Sequence, residues 1–213
     1  DVACYSAKDS GRNRVQTYRQ GRAPERHREM QWVSRITRAC EEDQLLLLAQ
    51  HIVPIRAGVE DLRHFELLLR MRDDDGQLVQ PSEFIPAAER FNLMPAVDRW
   101  VVRQACRKLA HRRGDLTRQD YTLAINISAT TLNDEQFLDF VIREMDTADL
   151  RPGALCFELT EAAAMTSLAA ATHFIRELRN RGCLFSLDDF GSGLSSFIFL
   201  KNLPVDFLKI DGQ

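Results

Sequence analysis

The apolar run Phe185 to Leu187 ends in two adjacent carboxylates, Asp188 and Asp189, and then in a turn carrying Gly191 and Gly193. An isolated Asp-Asp pair usually marks a turn or a helix cap, because short acidic side chains bond their own backbone. Four other apolar runs, however, carry a polar residue where a buried strand should have none: Glu66 in FELLLRM, Asn126 in LAINIS, Glu158 in CFELT and Lys209 in FLKID. Successive strand side chains point to opposite faces. Leu67, Ile125, Phe157, Phe185, Leu187 and Leu208 therefore share one parity, and Glu66, Asn126, Glu158, Asp188 and Lys209 share the other.

The charges on that second parity do not balance. Glu66, Glu158, Asp188 and Asp189 outnumber Lys209, and like charges a few ångströms apart cannot all stay ionised without added positive charge. Satisfied interior ion pairs would need more cations than the strands supply; divalent ions would supply the difference. A set of hard oxygen donors without His or Cys favours Mg²⁺ or Mn²⁺ over Zn²⁺. Two such ions side by side suit phosphate-ester hydrolysis, since they activate a bridging water and clamp the attacking and leaving oxygens. Lys209 can orient the nucleophile, and Arg70, on the same parity as Glu66, can hold a phosphate in a bidentate fork.

The elements needed to position these groups follow a regular alternation. Strands are expected at 45–50, 65–71, 121–128, 155–160, 184–188 and 207–210, and helices at 82–90, 95–113, 134–147 and 168–181 with a short one at 195–200. Pro81 and Gly182 are start and stop signals for the first and fourth helices. Strand and helix in alternation imply a parallel sheet covered by helices, as a doubly wound sheet or a barrel. Upstream, Met30, Val33, Ile36, Thr37 and Cys40 recur at helical spacing, which predicts an amphipathic connector helix over 23–42.

The 213 residues are 45% apolar and 28% charged, enough to bury a core. The net charge of −3 conceals a basic first forty residues and an acidic remainder. No basic stripe with interleaved aromatics argues for a nucleic-acid polymer. The five cysteines are scattered without a CxxC pair, which suits a reducing compartment. No run is long enough to span a bilayer, so no membrane contact by this segment is expected; the site of action is read as cytoplasmic, with any anchor in a longer parent. Asp189-Phe190-Gly191 also spells a kinase triplet, but no HRD-type loop accompanies it.

From residue 43 to 213 the chain resembles the EAL domain, on six ordered matches: ELLLR at 66–70, FIPAAE at 84–89, NIS at 126–128, ELTE at 158–161, DDFGSG at 188–193 and LKID at 208–211. The resemblance implies a modified TIM-type (β/α) barrel, truncated here by two C-terminal β/α units, with metal-dependent hydrolysis of cyclic di-GMP to linear pGpG. It makes Glu66, Asn126, Glu158 and Asp188 ligands of one ion and Asp188 and Asp189 ligands of a second. Lys209 acts on the catalytic water, and Leu68, Arg70 and Gln50 contact the nucleotide. Glu161 holds the DDFGSG loop, a step that the family links to homodimerisation. Leu67 stands where the naming motif has Ala, on the parity that packs rather than reacts. The alternative is a receptor that binds the dinucleotide without cutting it. Residues 1–22 resemble the last helix and strand of a GGDEF (diguanylate cyclase) domain, with Lys8 and Arg12 near its nucleotide phosphates.

Overall fold

The structure is a computed structural model describing residues 22–55, 63–111, 121–191 and 203–212, with side chains from residue 31 onward. The GGDEF-like segment, the expected short helix at 195–200 and Gly193 lie outside the described residues.

Helix α1 (Arg22–Glu41) leads into β1 (Leu45–Ile52), β2 (Arg63–Arg72) and the two-residue β3 (Leu78–Val79). There follow α2 (Pro81–Arg90), α3 (Met94–His111), β4 (Tyr121–Asn126), α4 (Ala129–Leu132) and α5 (Glu135–Ala148). The remainder is β5 (Leu155–Thr160), α6 (Glu161–Thr166), α7 (Leu168–Arg179), β6 (Leu184–Phe190) and β7 (Phe207–Ile210). Proline at the first position of α2 fits a place where its missing N–H is not needed, and Glu83 accepts the Gln80 N–H at 3.2 Å. Asp134 caps α5 by accepting from Gln136 N at 3.0 Å.

The strands run β1-β2-β4-β5-β6-β7 across one sheet, and β3 pairs only with β2. From β2 through β7 along that path the neighbours are parallel, as the alternation predicts; β1 departs from it and lies antiparallel to β2, Gln50 opposite Glu66. The parallel register sets Leu67, Ile125, Phe157 and Phe185 abreast on one face. All four are buried, and Phe174 of α7 packs edge-on against Phe157 and Phe185 with ring centroids 5.6 and 6.0 Å away. Such pairs add about 0.5–1.5 kcal/mol each beyond their burial. Phe137 of α5 stacks on Phe174 at 5.8 Å, so the helical layer is fixed to the apolar parity.

The opposite face is concave, as two contacts across it require. Between β2 and β7 lie four interstrand spacings, about 19 Å in a flat sheet. Yet Lys209 Nζ is 3.1 Å from Glu66 Oε2, and the rings of His64 and Phe207 are 5.3 Å apart. Only a sheet curled as in a barrel brings β7 to β2. Among the described residues no helix is long and apolar enough to cross a membrane.

Candidate active site

Four strands deliver the charged cluster, each from near the carboxyl end of its parallel pairing. Glu66 of β2, Glu158 of β5 and Asp188 of β6 present carboxylate oxygens within 4.8 Å of one another. Lys209 Nζ donates to all three, at 3.1 Å to Glu66, 3.1 Å to Glu158 and 2.9 Å to Asp188. Asn126, the last residue of β4, donates from Nδ2 to Glu66 Oε1 at 3.0 Å. The sequence parity therefore brings Glu66, Asn126, Glu158, Asp188 and Lys209 into one place.

Three anions share one cation, and their titration records it. Burial, with Glu66 beside it, raises the Glu158 carboxyl to about 7 despite the lysine. Burial alone would depress the Lys209 ammonium, but its bonds to Asp188, Glu158 and Glu66 outweigh that and hold it above the ordinary lysine value. The two shifts look opposed, since one disfavours an anion and the other favours a cation. Both arise from excess negative charge: the cation is over-supplied with partners and each anion is under-supplied. Three carboxylates with the Asn126 amide beside them, and no His or Cys in the group among the described residues, suit a hard divalent ion, so the residues present fit one.

Asp189 stands apart from the trio of mutually close carboxylates. It is exposed and has φ +54°, at a bulge where the β6 pairing to β7 shifts between Leu187 and Phe190. Such a bulge re-aims side chains. Partial desolvation, Asp188 and then Asp211 raise its carboxyl above the usual value. Asp211, carried beyond β7, is a further acid on this side, and strand parity sets it with Lys209.

The expected nucleotide contacts occupy the concave parity next to the cluster. Gln50 is exposed directly across from Glu66, Leu68 is half-buried opposite Leu48, and Arg70 lies opposite Leu46 with Nη1 donating to the Leu69 carbonyl at 2.7 Å. Leu67 is 5% exposed on the helical side, as its parity requires. Glu161 begins α6, and its Oε2 accepts the Gly191 N–H at 3.2 Å, tying that helix to the end of the DDFG turn.

Two features of β4 and β5 were not foreseen. The expected strand at 121–128 stops at Asn126 because Ser128 caps the short α4, accepting from Thr131 N at 3.3 Å. Thr160 does the same for α6 by accepting from Ala163 N at 3.1 Å. A Ser or Thr at or just past the strand's end, a residue type favoured at helix N-caps, was the available signal in each case.

Concave parallel sheet, helical outer layer and a carboxylate trio bridged by lysine define an α/β barrel-type domain with an acidic site on its inner face. The EAL domain family matches residues 33–213, and the chain belongs to it. Over its whole length the chain is 36% identical to the cyclic di-GMP phosphodiesterase PdeB of Shewanella oneidensis, of which it covers 25%. The EAL domain of FimX from Pseudomonas aeruginosa, solved bound to c-di-GMP, superposes with a TM-score of 0.78 at 30% identity, over 85% of this chain and 71% of that one. The MucR phosphodiesterase of Pseudomonas aeruginosa in complex with c-di-GMP gives 0.75 at 33%, over 85% and 72%. The chain spans about a quarter of the length of the curated relatives it matches.

Proposed function

We propose that this domain hydrolyses cyclic di-GMP to linear pGpG. The observation that carries the reading is the convergence of Glu66, Glu158 and Asp188 on Lys209 from four separate strands, in a chain whose relatives include named cyclic di-GMP phosphodiesterases. Glu66, Glu158 and Asp188, with Asn126, hold one divalent ion, and Asp188 with Asp189 holds a second; Mg²⁺ and Mn²⁺ match the donors. When bound, such ions supply a water that ionises near neutral pH and stabilise charge on the phosphate oxygens. Lys209, Glu66 and Asp188 are the catalytic residues. The Lys209 ammonium orients the attacking water and opposes charge that develops on the phosphoryl group. Arg70 anchors a phosphate and Leu68 and Gln50 contact the nucleotide, which holds the scissile bond over the trio. Glu161 keeps Gly191, and with it the strand end that carries Asp188 and Asp189, in one conformation. The domain acts in the cytoplasm and pairs with a second copy of itself.

The test is direct. The intact protein is incubated with cyclic di-GMP and Mg²⁺, Mn²⁺ or Ca²⁺, and pGpG is followed by chromatography. The expected result is cleavage with Mg²⁺ or Mn²⁺ that Glu66→Ala or Asp188→Ala abolishes. Binding without cleavage under all three ions would instead establish a receptor.

A further inference from the structure

Asp98 is 3% exposed in the second turn of α3 and forms no ion pair among the described residues. The neighbouring Arg99 is committed to Asp134 through Nη2 at 2.6 Å. A carboxylate in such a place costs several kcal/mol unless hydrogen bonds compensate. The compensation comes from the start of α4: the Thr131 side chain hydrogen-bonds the carboxylate, and Asp98 Oδ2 accepts both the backbone N–H of Ser128 at 3.0 Å and its hydroxyl at 2.8 Å. The Thr131 hydroxyl, 2.8 Å from Ser128 Oγ, closes the network.

Ser128 does not need this acid in order to cap α4, because its own oxygen already takes the Thr131 N–H. What the acid adds is a fixed point just beyond Asn126. The pairing of β4 ends at Asn126, opposite Glu158, and the next residue is tied only by Ile127 N donating to the Glu158 carbonyl at 2.9 Å. Past that bond, the grip of Asp98 on Ser128 sets the path of the backbone. Asn126 itself is exposed, and its amide reaches the cluster through Glu66.

We infer that Asp98 is a positioning residue, acting from the helical layer through Ser128 to aim Asn126 at the carboxylate cluster. The inference rests on the reading of that cluster as a divalent-ion site. Partners of this kind behind a ligand typically change ion affinity or activity by 10–100-fold. Since a single oxygen accepts both bonds, the amide oxygen of Asp98→Asn can replace it, whereas Asp98→Leu fills the space and offers no acceptor.

The experiment uses the intact protein and measures Mn²⁺ affinity by titration calorimetry, alongside kcat and KM for cyclic di-GMP. Asp98→Leu is expected to weaken Mn²⁺ binding and lower kcat by 10-fold or more with little change in KM, and Asp98→Asn to keep both within about threefold of the parent. If Asp98→Leu does not fold, Ser128→Ala, which removes one of the two bonds together with the cap on α4, is expected to weaken Mn²⁺ several-fold. Folded Asp98→Leu or Ser128→Ala with parental Mn²⁺ affinity would overturn the inference, as would Asp98→Asn no better than Asp98→Leu. Failure of the parent to bind Mn²⁺ or cleave the substrate would instead strike at the proposed function, and is read from the parent alone.

Discussion

Replacing Lys209 by methionine in the ion-free protein tests the charge count at its centre. Lys209 is 30% exposed and its partners 18%, 1% and 20%, so the cluster is largely withdrawn from water. With an effective dielectric near 20, each contact near 3 Å is worth roughly 5.5 kcal/mol in gross attraction, and three give about 16. Three carboxylates within 4.8 Å of one another oppose this with at least about 3.5 kcal/mol per pair. Removing the ammonium leaves only the repulsion. Glu158, already raised to about 7, relieves part of it by taking a proton near neutrality. The remaining cost should resemble that of breaking any buried ion pair, about 3–5 kcal/mol, which for a chain of this size lowers Tm by roughly 6–20 °C. A divalent ion should then return stability, about 2.7 kcal/mol at a hundred times its dissociation constant, and more to Lys209→Met than to the parent, because no ammonium competes for the oxygens. Differential scanning fluorimetry with and without Mn²⁺ measures both effects. An unchanged Tm and equal ion-induced gains in the two proteins would refute the account of one cation serving three anions.

Other substitutions probe the scaffold. Asp98, raised by burial to about 6 from 3.8, binds its proton more tightly folded than unfolded, so its contribution is complete below about pH 4 and is lost as pH rises through about 6. Denaturant titrations should therefore show Asp98→Asn gaining about 2–3 kcal/mol relative to the parent between pH 4 and 7; a constant difference would contradict a raised value. Gly182 has φ +87°, and a Cβ there would lie 2.8 Å from Pro152 Cβ, so Gly182→Ala should cost roughly 2–4 kcal/mol in urea melts, and a cost below 1 kcal/mol would show that the turn adapts. Phe174→Ala, which removes the ring lying on Phe157, Phe185 and Phe137, should cost about 3–5 kcal/mol and slow cleavage only as far as it unfolds the protein. Glu161→Ala should speed hydrogen exchange at the Gly191 amide while Glu161→Gln largely preserves protection; identical exchange in both would remove the carboxylate's role there.

The six main strands could be read from sequence because alternation puts Leu67, Ile125, Phe157 and Phe185 on one face and the acids on the other, and a one-residue slip would exchange them. Direction could not be read: the pattern of β1 is the same whichever way the strand runs, and only the pairing of Gln50 with Glu66 reveals it as antiparallel. β3, α4 and α6 have two, four and six residues, too few for a period to emerge. Counting charges anticipated the trio around Lys209. The left-handed backbone at Asp189 could not be read, because a bulge leaves no mark on periodicity. Asp98 stayed hidden, since a single acid on an amphipathic helix ordinarily belongs to the wet side, and its burial depends on Ser128, 30 residues away.

The lysine bridge carries a consequence for how the protein comes alive. Its three partners precede it by 143, 51 and 21 residues, so the knot cannot be tied until strand β7 has left the ribosome and docked. A nascent or partly unravelled chain keeps its acids apart, without the shared ammonium that gathers them. The gathered cluster thus depends on β7 docking beside strands far earlier in the chain, and it comes apart when that docking loosens.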